Sequence, residues 1–279
     1  MDSFVYHSGQ AKLLGHHMQV HELRSFGAIA GKGNSALVIE HGPDSQAERQ
    51  AFAARQNKGA CVFITAASPG QTLDADFYYP HARSVLCLHA SLAAAHILCA
   101  RGPATLRTAM RGQLLQLSLG PDGAFAFACM QRQAVAPIGI DPGLPAHLLG
   151  EPGLTLASAP LLSSVGSAKL LIEVPDSATL RALRPPLQRI VEWSKDTGVS
   201  GCYIYCRTGE HEYEGRNFNH LDATLEDSAT GVAAGALAAW LGHDLVMRQG
   251  AALGNPCRIL ARVEGNTIFV GGATELVTS

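Results

Sequence analysis

The sequence is poor in charged and aromatic residues, and its charge is not concentrated anywhere along the chain. Of the 279 residues only 16% are charged and 6% aromatic, and the formal net charge is -2. The 21 Lys and Arg residues are scattered rather than clustered. Because a nucleic-acid-binding surface needs a concentrated basic field, we expect no nucleic-acid partner.

Long apolar runs are also missing from the sequence. No stretch approaches the ~18 to 20 apolar residues that a membrane-spanning helix needs. The chain starts Met1-Asp2-Ser3, without the basic segment and apolar run of a secretion signal. We therefore expect no membrane partner and a cytoplasmic location.

The cysteines and histidines lack the spacing of disulfide frameworks and metal sites. Seven cysteines, an odd number, form no CxxC pair. Free, mostly buried thiols are therefore predicted. His16, His17 and His21 lie close together, but nothing nearby completes a ligand set with convincing spacing. The sequence thus predicts no metal site.

Two helices built almost wholly of small apolar residues are the most informative features present. One covers residues 90–98 and follows His89, and the other follows residues 226–231, which read Glu-Asp-Ser-Ala-Thr-Gly. Neither helix has a polar face, so each should be buried on all sides. Asp227 or Ser228 is predicted to cap the second helix, whose first amide groups can also hold an anion.

The elements around these helices occur twice in the same order. Strands are predicted at residues 35–40 and 61–64 before the first helix, and at 169–174 and 202–205 before the second. The spacing from Cys61 to His89 is 89 - 61 = 28, and from Tyr203 to Thr230 it is 230 - 203 = 27. The sequence therefore predicts a two-fold internal repeat.

An apolar helix is satisfied when a sheet curls around it, which defines the predicted architecture. The fold class is α+β, with two pseudo-symmetric barrel-like domains that each wrap a curled mixed sheet around a central apolar helix. The domains should cover residues 1–130 and 131–266, with the first completed by the C-terminal strand 267–279. A helix from residue 177 is predicted to cross Pro185-Pro186, and Asp74 and Asp76 should lie in a solvated loop.

Four segments, in chain order, resemble the PhzF (phenazine biosynthesis-like) family. Residues 33–38 (GNSALV) are similar to its GNPxxV element. Tyr79-Pro80 followed by residues 86–93 (LCLHASLA) is similar to its TP…LCGHATLA segment. Arg216-x-Phe218 followed by residues 226–231 (EDSATG) resembles RxF…EDPATG. The late residues 249–250, 254–257 and 270–273 resemble its QG…GRPS…VGG run.

The resemblance implies two barrels like those of diaminopimelate epimerase, proton transfer without a cofactor, and a homodimer. In the family a Glu moves the proton while a His and an Asp assist, and here His89 and Asp227 match that His and Asp. Ala60 stands at the position of the Glu, and Leu88 replaces the glycine before the His. Arg83, His21 and Asn255 are further departures from the pattern.

Two hypotheses of different classes follow. In the first, the chain is an isomerase or epimerase of a small carboxylic, hydroxylated amino or cyclic acid, with His89 and Asp227 exchanging the proton in a cleft between the domains. The resemblance places substrate binding at residues Ala90, Ser91, Thr230, Gly231 and Val232. The helix start should keep the pKa of His89 low. In the second, loss of the Glu at Ala60 leaves a protein that binds a small acid without turnover.

Plainer structural roles remain open for each candidate. Asp227 could be a helix cap alone, and His89 a cap or a buried, hydrogen-bonded ring. His96 and Cys87 are expected to be structural, and Cys61 should point away from Ala60 and miss the cleft, because adjacent strand residues face opposite sides. A purely structural interaction protein would instead need an exposed apolar patch.

Overall fold

The structure is a computed structural model, and it describes residues 11–13, 16–56, 59–66, 72–218 and 226–278. The strands up to residue 131 are β1 (Ala11–Leu13), β2 (His16–Phe26), β3 (Gly33–Glu40), β4 (Ala60–Ala66), β5 (Leu73–Tyr78), β6 (Arg83–Ser84), β7 (Ala104–Thr108), β8 (Leu114–Leu119) and β9 (Phe125–Gln131). Those that follow are β10 (Leu161–Ser163), β11 (Lys169–Glu173), β12 (Cys202–Gly209), β13 (Glu212–Phe218), β14 (Glu226–Asp227), β15 (Leu245–Gln249), β16 (Cys257–Glu264) and β17 (Thr267–Leu276). The α-helices are α1 (Gln46–Gln56), α2 (Leu88–Leu98), α3 (Leu144–Leu149), α4 (Ser177–Ala182), α5 (Leu187–Thr197) and α6 (Gly231–Leu241).

Eight strands close into a first barrel around α2. Their order is β2-β3-β4-β5-β7-β8-β9-β17, and β17 closes the ring by pairing with β2. Most of α2 is buried, as expected of a helix whose residues are small and apolar on every side. The predicted α+β class, with a curled mixed sheet around an apolar helix, is confirmed.

A second curved sheet surrounds α6 in the same way. Its strands run in the order β10-β11-β12-β13-β15-β16-β17, with β14 paired to β13. The residues of α6 from Gly231 to Ala239 are all buried. Each half of the repeat therefore places its small-residue helix inside a sheet.

Strand β17 belongs to both curved sheets. It pairs with β9 along one edge, and along the other edge with β16 and then, towards its C-terminal end, with β2. Side chains of α2 and α6 accordingly pack into one continuous apolar cluster. The division into domains at residues 130 and 266 stays a prediction, because the core does not separate the two sheets.

Strand alternation sorts side chains as the sequence predicts. Ala60 and Val62 face the barrel interior, whereas Cys61 packs in a separate cluster beneath α1. In β12, Cys202 and Cys206 share the outer face. The prediction that Cys61 points away from Ala60 is confirmed.

Two predictions about local structure are wrong. The helix expected to cross Pro185-Pro186 is instead two helices, α4 and α5, because proline lacks an amide donor and disfavours helical backbone in the residue before it. Asp74 and Asp76 lie in β5, not in a loop. Both carboxylates pair with arginines, and Asp76 is only 3% exposed.

Within the described ranges, no helix combines the length and apolar character needed to cross a membrane.

Candidate active site

The starts of α2 and α6 meet near the centre of the molecule. Gly231, the first residue of α6, packs so tightly on α2 that a Cβ placed there would lie 3.1 Å from the Cβ of Leu88. The same atom would lie 2.8 Å from the ring of Phe26. Only glycine therefore allows the two helix starts to approach each other this closely.

A cavity of about 130 Å³ opens at this junction. Both barrels contribute to its wall, with Cys87 and His89 at the start of α2 and Asp227 before α6. Thr230, Gly231 and Val232 also line it, as the sequence predicts for ligand-binding positions. Two helix starts with orphan amide groups and a positive end of each dipole suit the cavity to an anion.

Three predicted positions lie away from the cavity wall. Ala90 and Ser91 are fully buried, and the Ser91 hydroxyl donates to the carbonyl of Cys87. Ala60 is 1% exposed and faces the core. None of the three is among the described residues that line the cavity.

The Asp227 carboxylate is held by hydrogen bonds to both of its oxygens. Oδ1 accepts from Nδ2 of Asn34 at 2.8 Å and from the amide of Ala229 at 3.3 Å, while Oδ2 accepts from the Thr230 hydroxyl at 2.5 Å. Hydrogen bonds to an ionised acceptor are stronger than neutral ones and fix its orientation. Asp227 is therefore a rigid, partly exposed acid in the cavity wall.

The prediction that Asp227 or Ser228 caps the second helix is wrong. Thr230 occupies the cap position, and no side chain bonds to the first turn there. Asp227 lies in β14, where its backbone pairs with Asn217 of β13. The short strand places the carboxylate three residues before the cap, which leaves the helix amides uncovered.

A polar network across the sequence supports this carboxylate. Asn34 also donates to the carbonyl of Ala229 at 3.0 Å and accepts from the Ser228 hydroxyl at 2.6 Å. Ser228 in turn accepts from Nδ2 of Asn255 at 2.8 Å, and Oδ1 of Asn255 accepts from the amide of Gly33 at 2.8 Å. Asn255, at a departure from the family pattern, thus completes the network that orients Asp227.

Glu226, next to Asp227, has a structural role. Its carboxylate forms a bidentate pair with Arg216 at 2.7 and 2.9 Å, and the guanidinium also packs 4.9 Å from the ring of Phe218. Adjacent strand residues face opposite sides, so Glu226 is turned away from the cavity. Arg216, Phe218 and Glu226 together anchor the strand that carries Asp227.

On the opposite wall, His89 forms a buried cluster with Cys87 and Tyr79. The Cys87 sulfur lies 3.4 Å from Nδ1 of His89 and 3.6 Å from the Tyr79 hydroxyl. Burial disfavours the imidazolium, but the Cys87 sulfur and the Asp227 charge outweigh it and raise the pKa of His89 above its ordinary value. The expectation of a low His89 pKa is wrong, because the effects of Cys87 and Asp227 exceed that of the helix start.

Cys87 is buried as predicted, but it also takes part in the cavity wall. Burial disfavours its thiolate, yet His89, the Tyr79 hydroxyl and the Ala90 amide together lower the pKa of the thiol. All seven cysteines are free, as predicted. His96, predicted to be structural, bonds Thr274 through Nδ1 at 2.9 Å.

The sequence reasoning missed Lys169 and Arg83. Arg83 lines the cavity and pairs with Asp76 at 2.7 Å. Lys169 begins β11, is 4% exposed, and donates to the carbonyl of Ser200. Burial lowers its pKa to about 8, against an opposing effect of Asp227. The sequence signal that could have identified Lys169 is a lone lysine at the start of the apolar strand Lys169–Glu173.

The three N-terminal histidines form no described metal site. Nε2 of His21 lies 3.7 Å from a Glu40 oxygen, and the side chain of His16 lies outside the described residues. Among the residues that the structure describes, no group of three His, Cys, Asp or Glu side chains is placed to hold a metal ion.

Comparisons with known proteins agree with this fold. The family profile of phenazine biosynthesis-like proteins matches residues 23–274. An uncharacterised isomerase of Deinococcus radiodurans is 30% identical over 270 residues, covering 87% of this chain and 86% of the relative. A predicted epimerase of Pseudomonas aeruginosa has a similar structure, with a TM-score of 0.75, 24% identity, and coverage of 93% of this chain and 96% of that one.

A more distant structure shares the fold at lower identity. The hydroxyproline epimerase of Agrobacterium vitis, solved with trans-4-hydroxy-L-proline bound, has a TM-score of 0.60 and 13% identity, covering 94% of this chain and 91% of that one. The family match and the 30% identical isomerase support an isomerase or epimerase function. Because the family profile spans most of its length, the chain belongs to the phenazine biosynthesis-like (PhzF) family.

Proposed function

We propose that the chain is a cofactor-independent isomerase or epimerase that moves a proton on a small acid bound in the cavity between the two helix starts. The observation that carries the proposal is the placement of His89 and Asp227. Each belongs to a different barrel, each lies at or just before a buried helix, and both line the same cavity. A transfer that takes a proton from one face of a molecule and returns one to the other needs a base and an acid that both reach it.

The proposed reaction uses these groups in turn. Asp227 takes the proton from the carbon beside the carboxylate, and the electrons of the broken C–H bond pass into an enolate-like carboxylate. The amides of Gly231 and Val232 donate to that charge. His89, as imidazolium, then protonates the opposite face of the carbon or a neighbouring carbon. The proton on Asp227 returns to His89 through solvent.

The environment of each group suits its proposed role. Asp227 is held in one orientation by Asn34 and Thr230. The raised pKa of His89 favours the imidazolium that a proton donor needs. The amide of Thr230, predicted to bind substrate, donates to Oε1 of Gln249 at 3.3 Å, so the binding role passes to Gly231 and Val232.

The proposed substrate class is a small carboxylic, hydroxylated amino or cyclic acid. The cavity of about 130 Å³ has room for a molecule of that size but not for a large one. The structurally similar hydroxyproline epimerase binds trans-4-hydroxy-L-proline, a hydroxylated cyclic amino acid. The facing helix starts provide amides for its carboxylate.

The alternative is a protein that binds a small acid without turnover. Ala60 favours it, because a methyl group stands where the family has its proton-transferring Glu and is buried in the core. Loss of a general acid or base lowers a rate by ~10²- to 10⁴-fold. The two proposals differ in turnover, not in the ligand or its location.

Solvent deuterium exchange distinguishes these proposals. The native chain, Asp227→Asn and Ala60→Glu would each be incubated in D₂O with a panel of hydroxylated amino acids and cyclic acids. We expect the native chain to exchange a carbon-bound hydrogen and Asp227→Asn to lose ~10²- to 10⁴-fold in rate. Asp196→Asn, on the exposed face of α5, is the matched control and should retain the native rate.

One outcome would reject turnover, and another would reject the role of Asp227. If the native chain exchanges no acid in the panel while Ala60→Glu gains exchange, the binding protein is the correct reading. Equal rates for the native chain and Asp227→Asn would remove Asp227 from the reaction. Far-ultraviolet circular dichroism of each variant shows whether the fold is retained.

A further inference from the structure

Lys169 is a buried cation in the cavity wall to which the proposed reaction gives no role. It is 4% exposed and is the first residue of β11. Ser200, whose carbonyl accepts from its ammonium group, also lines the cavity. A lysine placed this deep normally needs compensation for the water it has lost.

The protein itself supplies few ion pairs or hydrogen bonds to replace the water that the Lys169 ammonium group has lost. Among the described residues, Lys169 forms no ion pair with a carboxylate, and the carbonyl of Ser200 is the hydrogen-bond acceptor found for it. An ammonium group has three donors, so the described protein atoms leave two of them to other partners. A buried charge of this kind is either neutralised or completed by a ligand.

Strand register shows which surface Lys169 shares. Leu171 pairs with Tyr203, which pairs with Asn217, so these three lie side by side across β11, β12 and β13. Lys169 is two residues before Leu171 and therefore points to the same inner face. Asn217 is 1% exposed, also lines the cavity, and has no partner for Oδ1 among the described residues. Two incompletely bonded polar side chains thus belong to one wall.

We propose that Lys169 is the residue that pairs with the acidic group of the ligand in this cavity. The assignment rests on the proposed small-acid ligand, but it holds for turnover and for binding alone. A carboxylate has about four lone-pair directions, so it can accept from Lys169 while also facing the helix amides. Lys169 thereby determines that the ligand is an anion.

Binding should then be coupled to a proton. Burial lowers the pKa of Lys169 to about 8, and the titratable groups that act on it are Asp227 of β14 and Cys202 of β12. Burial also raises the pKa of Cys202 to about 12, so this thiol stays neutral near pH 8. A bound carboxylate favours the ammonium form, and at pH 8 about half of the free chains already carry it. Binding therefore takes up as much as about half a proton per site at Lys169 from solvent.

Isothermal titration calorimetry with trans-4-hydroxy-L-proline and malonate as probes tests the assignment. Titrations at pH 8 in two buffers of different ionisation enthalpy give the number of protons taken up. We expect the affinity to fall at least tenfold in Lys169→Met, and the proton uptake on binding to be smaller than in the native chain. Lys169→Arg should keep much of the affinity but take up fewer protons than the native chain, because arginine is always charged and the remaining uptake comes from His89. Lys195→Met, an exposed position on α5, is the matched control.

The outcomes separate this assignment from the proposed reaction. Native affinity in Lys169→Met, the full native proton uptake in Lys169→Arg, or no binding of either probe by the native chain would each overturn the role of Lys169. Loss of binding in Lys169→Met together with no deuterium exchange by the native chain would support Lys169 and reject the reaction. Exchange that survives with full affinity in Lys169→Met would reject Lys169 alone.

Discussion

At the scale of single residues, the cavity depends on polar groups whose partners lie far away in the sequence. Asp227 is oriented by Asn34, 193 positions earlier. His89 receives its raised pKa from Cys87 and Asp227 rather than from its place in the first turn of α2. The role of each candidate is therefore determined by neighbours that sequence spacing does not reveal.

Asn34→Ala should destabilise the protein and weaken its activity. The substitution removes the donor to Asp227 and the acceptor for the Ser228 hydroxyl, and leaving partly buried partners unsatisfied costs about 1 to 3 kcal/mol. Urea unfolding measures the free energy, and deuterium exchange measures the rate. Asn266→Ala, an exposed position, should change neither. Full stability in Asn34→Ala would show that the network does not hold Asp227.

Lys169 should make a pH-dependent contribution to stability. Its pKa is 10.5 for the ordinary group and about 8 in the folded chain, so between these values the unfolded state binds more protons and stability rises with pH. Below pH 8 the full free-energy cost of burying the charged ammonium group, ~3 kcal/mol, lowers the stability of the fold. Above pH 10.5 the group is neutral in both states, and this cost is gone.

Comparison of Lys169→Met with the native chain isolates this contribution. The native chain gains stability as Lys169 becomes neutral, and the variant lacks this gain. We therefore expect the free energy of unfolding of Lys169→Met minus that of the native chain to fall by about 2 kcal/mol from pH 7.5 to 9.5. Urea unfolding at the two pH values measures it, and other titrating groups cancel in the difference. A difference that is constant with pH would mean that Lys169 keeps an ordinary pKa in the folded chain.

At the scale of elements, the helices α2 and α6 are made of small residues because a barrel has little room inside it. Gly235, in the middle of α6, lies so close to the sheet that a Cβ there would be 2.8 Å from Cγ2 of Val270 and 3.1 Å from Cγ2 of Val165. Both neighbours are β-branched and have few rotamers to adopt. The helix is therefore fitted to its sheet at the level of single methyl groups.

Gly235→Ala should destabilise the protein although alanine is the better helix former. The gain in helix propensity is about 1 kcal/mol, whereas overpacking a core costs about 1 to 3 kcal/mol. We expect a net loss of about 1 kcal/mol, measured by urea unfolding. Gly139→Ala, where an added Cβ meets nothing within 4 Å, is the control and should be neutral. A more stable Gly235→Ala would show that the barrel can expand.

At the scale of the whole molecule, β17 joins two curved sheets into one structure. It pairs with β16 in one sheet and with β2 and β9 in the other, and one apolar cluster contains residues of both central helices. Neither sheet keeps its full set of strand partners without β17. The cavity, whose wall comes from both barrels, depends on this shared strand for its shape.

The shared core should make unfolding a single cooperative event. We expect one calorimetric transition, with equal calorimetric and van't Hoff enthalpies, because loss of either barrel exposes the core of the other. Two separated transitions would show that the barrels are independent domains, as the predicted division at residue 130 implies. The homodimer implied by the family resemblance stays a prediction, which sedimentation velocity on the same samples checks.

Much of the fold could be predicted from the sequence because its signals are local. The mostly small and apolar composition of residues 90–98 and the similar run after Gly231 indicate helices buried on every side, and their nearly equal spacing from preceding strands indicates a repeat. The break at Pro185-Pro186 is not predicted, although proline is a strong signal of a helix end. The helical pattern on both sides of the two prolines predicts one continuous helix, whereas the structure has two.

The sequence by itself determined the α+β class, the two central helices, and the family, because periodicity and ordered motifs are properties of the chain. Only the tertiary structure decided which groups share the cavity. Asn34 orients Asp227, Cys87 raises the pKa of His89, and Lys169 enters the wall from β11. Hydrogen bonds and charge effects act over a few ångströms in space, so they depend on strand register and barrel closure, and the order of residues does not express them.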